Sequence, residues 1–573
     1  MNRTMIRPVV KRILCAALLL LALVVSFRTA WIVSSTLLDS DASSELILGE
    51  KLAREGGILS STWFYSTELR VLYNQIVYSL LFRLFSDWSL VRFLGAVIMQ
   101  LLMLGAFYFL SRQAKIPFER FCVGGAAMLL PFSVAYGRIV LYHNYYIPHI
   151  IVVLTTVGLY LSLAKENRSE RKWAFPLKAA LLCLLAFGGG LGGVRQLMIC
   201  TGPLLVSVFL SALFSENGAG EDRLNRLKEK APALAWALAA VAASALGYLV
   251  NLKVLSARYS FMDYSSQNLA LGTVNDLEAL FRTILKDLGY IGRGGLFSAN
   301  GIVSLLAVFV FLLSLIVAFH TLRHTRDRFA RFLSIFMLMT QLVMTCVSLF
   351  LSEGGFYMEL YYLPVLFWII PAMAKADLRK NSGMVPSAEG EKKSLPASLL
   401  SGASPLSLHG LAGLMVLVMM IGCGFYFTGF FRDPNNFSND VDYSGLTYQD
   451  TATVETLRPA AEMITEKGYD LCYATYWYGP VITELTDGKV KSVSVQLGRR
   501  RHPIVYYDWL SDMNLRPAAF AEGRKACILA DMELASAVED NSVLEGRCVE
   551  VGRVNGLVLY ELTDPAVLAR DLE

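Results

Sequence analysis

The residues best suited to chemistry stand together near the start of the chain. Leu38-Asp39-Ser40-Asp41 follows directly on an apolar block, and Glu45 comes one helical turn later. Two carboxylates this close repel when both ionise, so one of them holds its proton more tightly. A carboxyl group tuned in that way suits proton abstraction from a hydroxyl. The pair also offers the oxygen ligands that Mg or Mn prefers. Asp39 and Asp41 are therefore candidate catalytic residues and candidate ligands of a divalent metal ion, with Glu45 a candidate substrate contact. The same positions have a simpler reading: Asp39, Ser40 or Asp41 can cap a helix beginning over Asp41–Glu55.

The elements that must hold this motif are membrane spans. The chain has 573 residues, 55% hydrophobic and only 17% charged, with a mean hydropathy of +0.48. A soluble chain carries about 25% charge. The apolar residues fall in blocks of roughly 18 or more, long enough to cross about 30 Å of hydrocarbon. The expected fold class is a polytopic α-helical membrane protein of about eleven spans with a small C-terminal extracytoplasmic α/β domain. Spans are expected near 13–33, 91–110, 121–137, 145–164, 176–190, 197–214, 233–252, 301–320, 332–351, 358–374 and 409–430. The first is long for a signal peptide and has no clear small-residue cleavage site before Asp39, so it reads as a retained helix.

The distribution of basic residues orients these spans. With the N-terminus inside, every second loop is cytoplasmic. Those loops hold Arg112, Lys115 and Arg120; Lys165 to Lys172; Arg223 to Lys230; Arg323 to Arg331; and Lys375 to Lys393, whereas the short outside loops are poor in Lys and Arg. The net charge of +5 thus lies beside the membrane and is no footprint of a nucleic acid. Two outside loops are long, 34–90 and 253–300. In the first, Leu69, Leu72, Tyr73, Ile76 and Leu80 recur at helical spacing and predict an amphipathic helix. The second carries Arg258, Lys286, Asp287 and Arg293. Gly188-Gly189-Gly190-Leu191-Gly192-Gly193 breaks one apolar run into two spans near the outer surface, with Arg195 just beyond it.

The transmembrane domain is read as 1–430 and the tail as 431–573, beginning with the polar linker Arg432-Asp433-Pro434-Asn435-Asn436. Within the tail, Thr453–Lys467 and Leu534–Glu539 read as helices, and Leu471–Ala474, Val490–Val495, Ala526–Ala530, Cys548–Val551 and Leu557–Tyr560 as strands. The tail shows no catalytic set. Arg499-Arg500-Arg501-His502 reads as a contact for anionic glycans or headgroups, or as a solvated loop, and Tyr476, Trp477 and Tyr478 as a sugar-stacking surface or as packing. Cys472, Cys527 and Cys548 leave a disulfide open, and the histidines lack zinc spacing.

A first span, an acidic pair opening a large outside loop, a polytopic bundle and an outside C-terminal domain together resemble the GT-C superfamily of membrane glycosyltransferases. The bacterial members nearest in pattern are the protein mannosyltransferases and the aminoarabinose and lipopolysaccharide-core sugar transferases. The likeness covers roughly 1–375 as architecture, and the family's first acidic motif falls on Asp39 and Asp41. The tail segment Tyr473 to Leu485 resembles domains attached to bacterial proteins of this kind. The resemblance implies a donor sugar carried on polyprenyl phosphate, a cell-envelope glycan, lipid or protein acceptor, and the cytoplasmic membrane as location. It also places His143 and Asn144 where the family often has a second acidic residue or a histidine, although the carboxylate is absent. Arg195, costly in an apolar run at about +2.5 to +3.5 kcal/mol, is a counter-charge for the lipid phosphate or snorkels to the headgroups. Arg258, Lys286 and Arg293 are further phosphate candidates, and Glu359 a hydroxyl contact. Two other classes fit the composition: a transporter or flippase, which lacks support from internal repeats, and a non-catalytic envelope scaffold.

Overall fold

The structure is a computed structural model. It describes residues 3–66, 69–130, 133–137, 146–165, 174–213, 230–261, 274–292, 294–325, 327–350, 365–376, 420–424, 427, 453–499 and 502–572. Seven described helices contain stretches long and apolar enough to span a bilayer. They are α1 (Arg3–Thr36), α4 (Trp88–Ala114), α7 (Ile147–Lys165), α8 (Ala174–Leu191), α10 (Ala231–Lys253), α12 (Ala299–His324) and α13 (Arg328–Phe350). Between α1 and α4 lie α2 (Ser40–Glu55), β1 (Trp63–Phe64) and α3 (Gln75–Phe82). α5 (Phe118–Leu129) and α6 (Val134–Gly137) precede α7, α9 (Gly202–Leu213) follows α8, and α11 (Val274–Asp287) precedes α12. After α13 comes α14 (Ile369–Lys375).

The apolar window of α7 is 83% buried and that of α1 only 11%, so α7 lies at the centre of the bundle and α1 at its rim. Ile13, Leu14, Leu20 and Leu21 of α1 are exposed, as side chains facing lipid would be. Among the other expected spans, 121–137 falls on the shorter helices α5 and α6, and 197–214 on the π-turn Leu197–Thr201 followed by α9. The spans at 358–374 and 409–430 are described only in part. The glycine run does break its apolar block: α8 ends at Leu191, and Gly193 takes φ 123°, which favours glycine. A Cβ on Gly190 would fall on the Ser244 carbonyl oxygen, and one on Gly247 on that of Phe187. Glycine at both positions lets α8 and α10 pack backbone to backbone.

Basic residues gather at one end of the bundle. Arg12 pairs with Glu119 at 3.0 Å and Lys375 with Asp327 at 2.5 Å, while Arg120 donates to the Ala376 carbonyl. The tail packs at the opposite end, where Leu38 joins the apolar cluster of Val454, Leu457 and Ala461.

The tail is a three-layer α/β unit. Its elements are α15 (Thr453–Glu466), β2 (Leu471–Thr475), α16 (Gly479–Leu485), β3 (Lys491–Arg499), β4 (His502–Tyr506), β5 (Ser511–Asp512), α17 (Ala518–Ala521), β6 (Ala526–Ala530), α18 (Met532–Glu539), β7 (Cys548–Val554), β8 (Leu557–Leu562) and α19 (Pro565–Leu572). The sheet order is β4-β3-β2-β6-β8-β7, with β2 parallel to both β3 and β6 and the outer pairs antiparallel. Side chains alternate across a strand. Leu471 and Tyr473 accordingly face α18 and α19, while Cys472 and Ala474 face α15 and α16. Cys472 and Cys527 pair in register on β2 and β6, and both are free thiols.

Two expectations change. The helix expected over Leu69–Leu80 starts only at Gln75; Leu69, Val71 and Tyr73 are buried in the segment before it, and Leu80 is exposed. The basic cluster read as a loop or contact falls at the β3–β4 hairpin, whose strands pair Arg499 with His502; Arg500 and Arg501 lie outside the described residues.

Candidate active site at the head of α2

Asp39 has extended backbone, φ −135° and ψ 161°, and caps α2, its carboxylate accepting from the Ala42 N–H at 2.8 Å. The capping reading is therefore correct, and it does not exhaust the motif. Asp41, in the first turn, accepts a 2.5 Å hydrogen bond from the Tyr476 hydroxyl. Burial, then the Asp41 and Asp39 carboxylates, push the Tyr476 phenol well above its ordinary value. The phenol therefore remains a donor at physiological pH, and both acidic groups lie in its electrostatic neighbourhood. Asp39 and Asp41 are each half-buried.

A second contact fixes the same helix. Glu484 of α16 is buried and accepts from Ser43 of α2 at 2.6 Å. It also forms a two-pronged ion pair with Arg92 of α4, 2.7 Å through Nε. Arg92 is buried, and Asp39 is a further electrostatic neighbour of its guanidinium. A span, the acidic helix and the tail thus meet at one carboxylate.

Glu45 leads inward. It is 1% exposed and ion-paired with Arg70, so it sits in the packing below the head of the helix. The Arg70 guanidinium lies 4.8 Å from the centre of the Tyr73 ring, and that ring meets His149 edge-on at 5.6 Å. His149 in turn contacts Arg195 at 3.2 Å and Gln196 at 3.1 Å, and Arg195 lies 5.2 Å from the Tyr146 ring. Arg195 is 6% exposed, so it is enclosed by polar and aromatic partners and does not reach out to headgroups. A continuous chain of polar and aromatic side chains therefore runs from Glu45 to Arg195.

Other expected contacts are not brought to this cluster. Arg258 is exposed and lies against Tyr259 at 5.7 Å. Lys286 is half-buried in the last turn of α11. His143, Asn144, Arg293 and Glu359 lie outside the described residues. The described residues contain no group of three or more potential metal ligands.

No protein-family profile matches the chain, and no curated protein matches it significantly. Solved structures do match. ArnT from Cupriavidus metallidurans bound to undecaprenyl phosphate aligns with 95% of this chain and 97% of its own, at a TM-score of 0.52 and 11% identity. The apo state of the same protein aligns with 97% and 98%, at a TM-score of 0.50 and 12% identity. This chain has the fold of ArnT. The Archaeoglobus fulgidus oligosaccharyltransferase aligns more distantly, at a TM-score of 0.37 and 12% identity over 82% of this chain and 62% of its own. At such identity the likeness establishes the fold, and residue roles rest on the geometry above.

Tyr476, Glu484, Arg92, Arg70, His149 and Gln196 belong to this cluster without being site candidates in the sequence, where Tyr476 reads only as a sugar-stacking or packing residue. Arg92 and His149 each carried a signal, a polar side chain inside an apolar block, which marks a functional or paired position. Tyr476 and Glu484 carried none, because their partners are 435 and 441 residues away.

Proposed function

We propose that this chain is a membrane glycosyltransferase that moves a sugar from a polyprenyl-phosphate donor to a hydroxyl of a cell-envelope glycan, lipid or protein. The observation that carries the reading is the Asp39–Asp41 pair at the head of α2, directly after a span and beneath the tail domain, in a chain that shares the fold of ArnT from end to end. The ArnT structure bound to undecaprenyl phosphate supports a polyprenyl-phosphate partner. The basic end of the bundle supports an inside N-terminus in the cytoplasmic membrane, with the tail outside.

Asp39 or Asp41 takes the proton of the acceptor hydroxyl. That oxygen bonds to the anomeric carbon as the bond from this carbon to the phosphate oxygen breaks, and polyprenyl phosphate leaves with the electron pair. One displacement inverts the anomeric centre. Charge growing on the leaving phosphate calls for a fixed cation, a role this reading gives to Arg195, whose guanidinium contacts His149. Asp39 and Asp41 would hold a divalent ion, Mg or Mn, with the lone pairs left beyond the hydrogen bonds they accept. Substrate phosphate would complete such a two-carboxylate set, and the ion would supply positive charge to that phosphate.

The test is turnover by the full chain in proteoliposomes supplied with polyprenyl-phosphate sugars and envelope acceptors. Asp39→Asn and Asp41→Asn should each cut polyprenyl phosphate release at least about 100-fold, the lower range of general-base catalysis, with thermal stability preserved. Full turnover in both variants would refute the assignment.

A further inference from the structure

The interface between α2 and the tail encloses a cavity of about 380 Å³, within the range of roughly 300–1,000 Å³ typical of ligand sites. Neither Asp39 nor Asp41 lines it; α2 contributes Glu50, Lys51 and Arg54 instead. Glu50 is nine residues beyond Asp41, about 13 Å along a helix that rises 1.5 Å per residue. One rigid helix therefore carries the acidic pair at one end and the cavity at the other.

The lining is polar and internally paired. Lys51, only 3% exposed, bridges Glu55 and Asp512 at 2.8 Å each. Glu50 pairs with Arg54 at 2.7 Å and Asp470 with Arg524 at 2.6 Å. Every carboxylate on the lining is thus already ion-paired, Glu55 and Asp512 sharing the single charge of Lys51. Two lysines remain: Lys491 comes no closer than 3.9 Å to Glu50, and Lys489 is exposed and has no ion pair among the described residues. Burial holds the Lys491 ammonium below its ordinary value, as expected of a cation short of counter-charge. The buried Trp63 indole N–H also lacks a hydrogen-bond partner among the described residues. Thr483 and Ser492 supply hydroxyls, and Trp63 and Phe520 supply aromatic surface. Surplus positive charge, an unused buried donor, hydroxyls and rings are the features that recognise a charged sugar.

We propose that this cavity binds the acceptor, an anionic and hydroxyl-rich saccharide, while a hydroxyl further along the same molecule meets the acidic pair. The proposal rests on the transferase reading, and its test does not depend on turnover. Glucose 6-phosphate is titrated against the full chain in nanodiscs and followed by calorimetry, with glucose and inorganic phosphate as controls. Saturable binding is expected, at least tenfold tighter than either control. Lys489→Glu, a change at an exposed position, and the double variant Lys489→Glu/Lys491→Glu should each weaken it at least tenfold, whereas Asp39→Asn should leave it unchanged. Absence of saturable binding, or binding indifferent to Lys489→Glu, overturns the proposal even if Asp39→Asn abolishes turnover. Binding that behaves as expected in a chain that transfers no sugar leaves the cavity a saccharide site but overturns its role as the acceptor site, along with the transferase reading.

Discussion

Removing one hydroxyl, in Tyr476→Phe, tests whether the tail takes part in the chemistry. The phenol donates to the Asp41 carboxylate at 2.5 Å and is itself buried. A hydrogen bond to an ionised group contributes about 1.5–3 kcal/mol net. The bond favours the carboxylate over the neutral acid, so its loss makes ionisation of the pair harder. If an ionised aspartate must take the acceptor proton, the acidic limb of the kcat/KM profile moves to higher pH. On that limb the loss converts to roughly 10–100-fold in rate, at 1.36 kcal/mol per factor of ten, and the deficit shrinks as pH rises. The assay is initial-rate transfer across the pH range, paired with a melting curve to separate catalysis from folding. An unshifted profile with only a lowered Tm would refute the reasoning, because Tyr476 would then be a structural contact alone.

Three further outcomes follow from the same geometry. Glu484→Ala strands the buried Arg92 charge and should cost about 3–5 kcal/mol of stability, with the joint change Arg92→Met/Glu484→Leu recovering most of it in chemical denaturation. Arg195→Gln should raise the KM for the lipid donor more than tenfold, with Arg195→Lys intermediate; equal donor KM values in all three proteins would remove Arg195 from phosphate binding. Burial holds the Tyr65, Tyr469, Tyr473 and Tyr476 phenols above their ordinary value near 10. The sign is that of a raised group. The stabilisation is complete below the unfolded-state value and is lost as pH climbs past it, so the fall of melting temperature recorded from pH 8 to 11 should steepen above about pH 10.

Local physics made much of this fold legible. Apolar blocks of bilayer length gave the long helices, and an aspartate before a helix-forming run gave the start of α2. Unbroken β-branched and apolar runs such as Ala526–Ala530 gave the central strands, since a strand covered on both faces has no polar side. Other elements lacked a one-dimensional signal. Gly479-Pro480 carries no helix signal of its own, yet proline in the first turn of a helix loses only an N–H that had no partner there, and α16 begins at that point. The segment before α3 has helical spacing but is held out of a helix by what it covers, since Leu69 and Val71 pack with Trp63, Tyr65 and Tyr476. For the site, the acidic pair was visible because its members are neighbours in sequence. The partners that position it arrive from the other end of the chain, and no local pattern announces them.

That separation has a consequence for biogenesis. β1 pairs with β5, Trp63 opposite Asp512, so the loop that follows the first span is stitched to a segment made long after it. A ribosome-bound chain that has completed its first loop still lacks the strand, the phenol and the glutamate that secure α2. The chain therefore cannot mature stepwise from its leading end; on the transferase reading its proposed site is assembled last, when the trailing domain has docked on α2. Premature termination anywhere before Tyr476 should yield an inserted but inert protein.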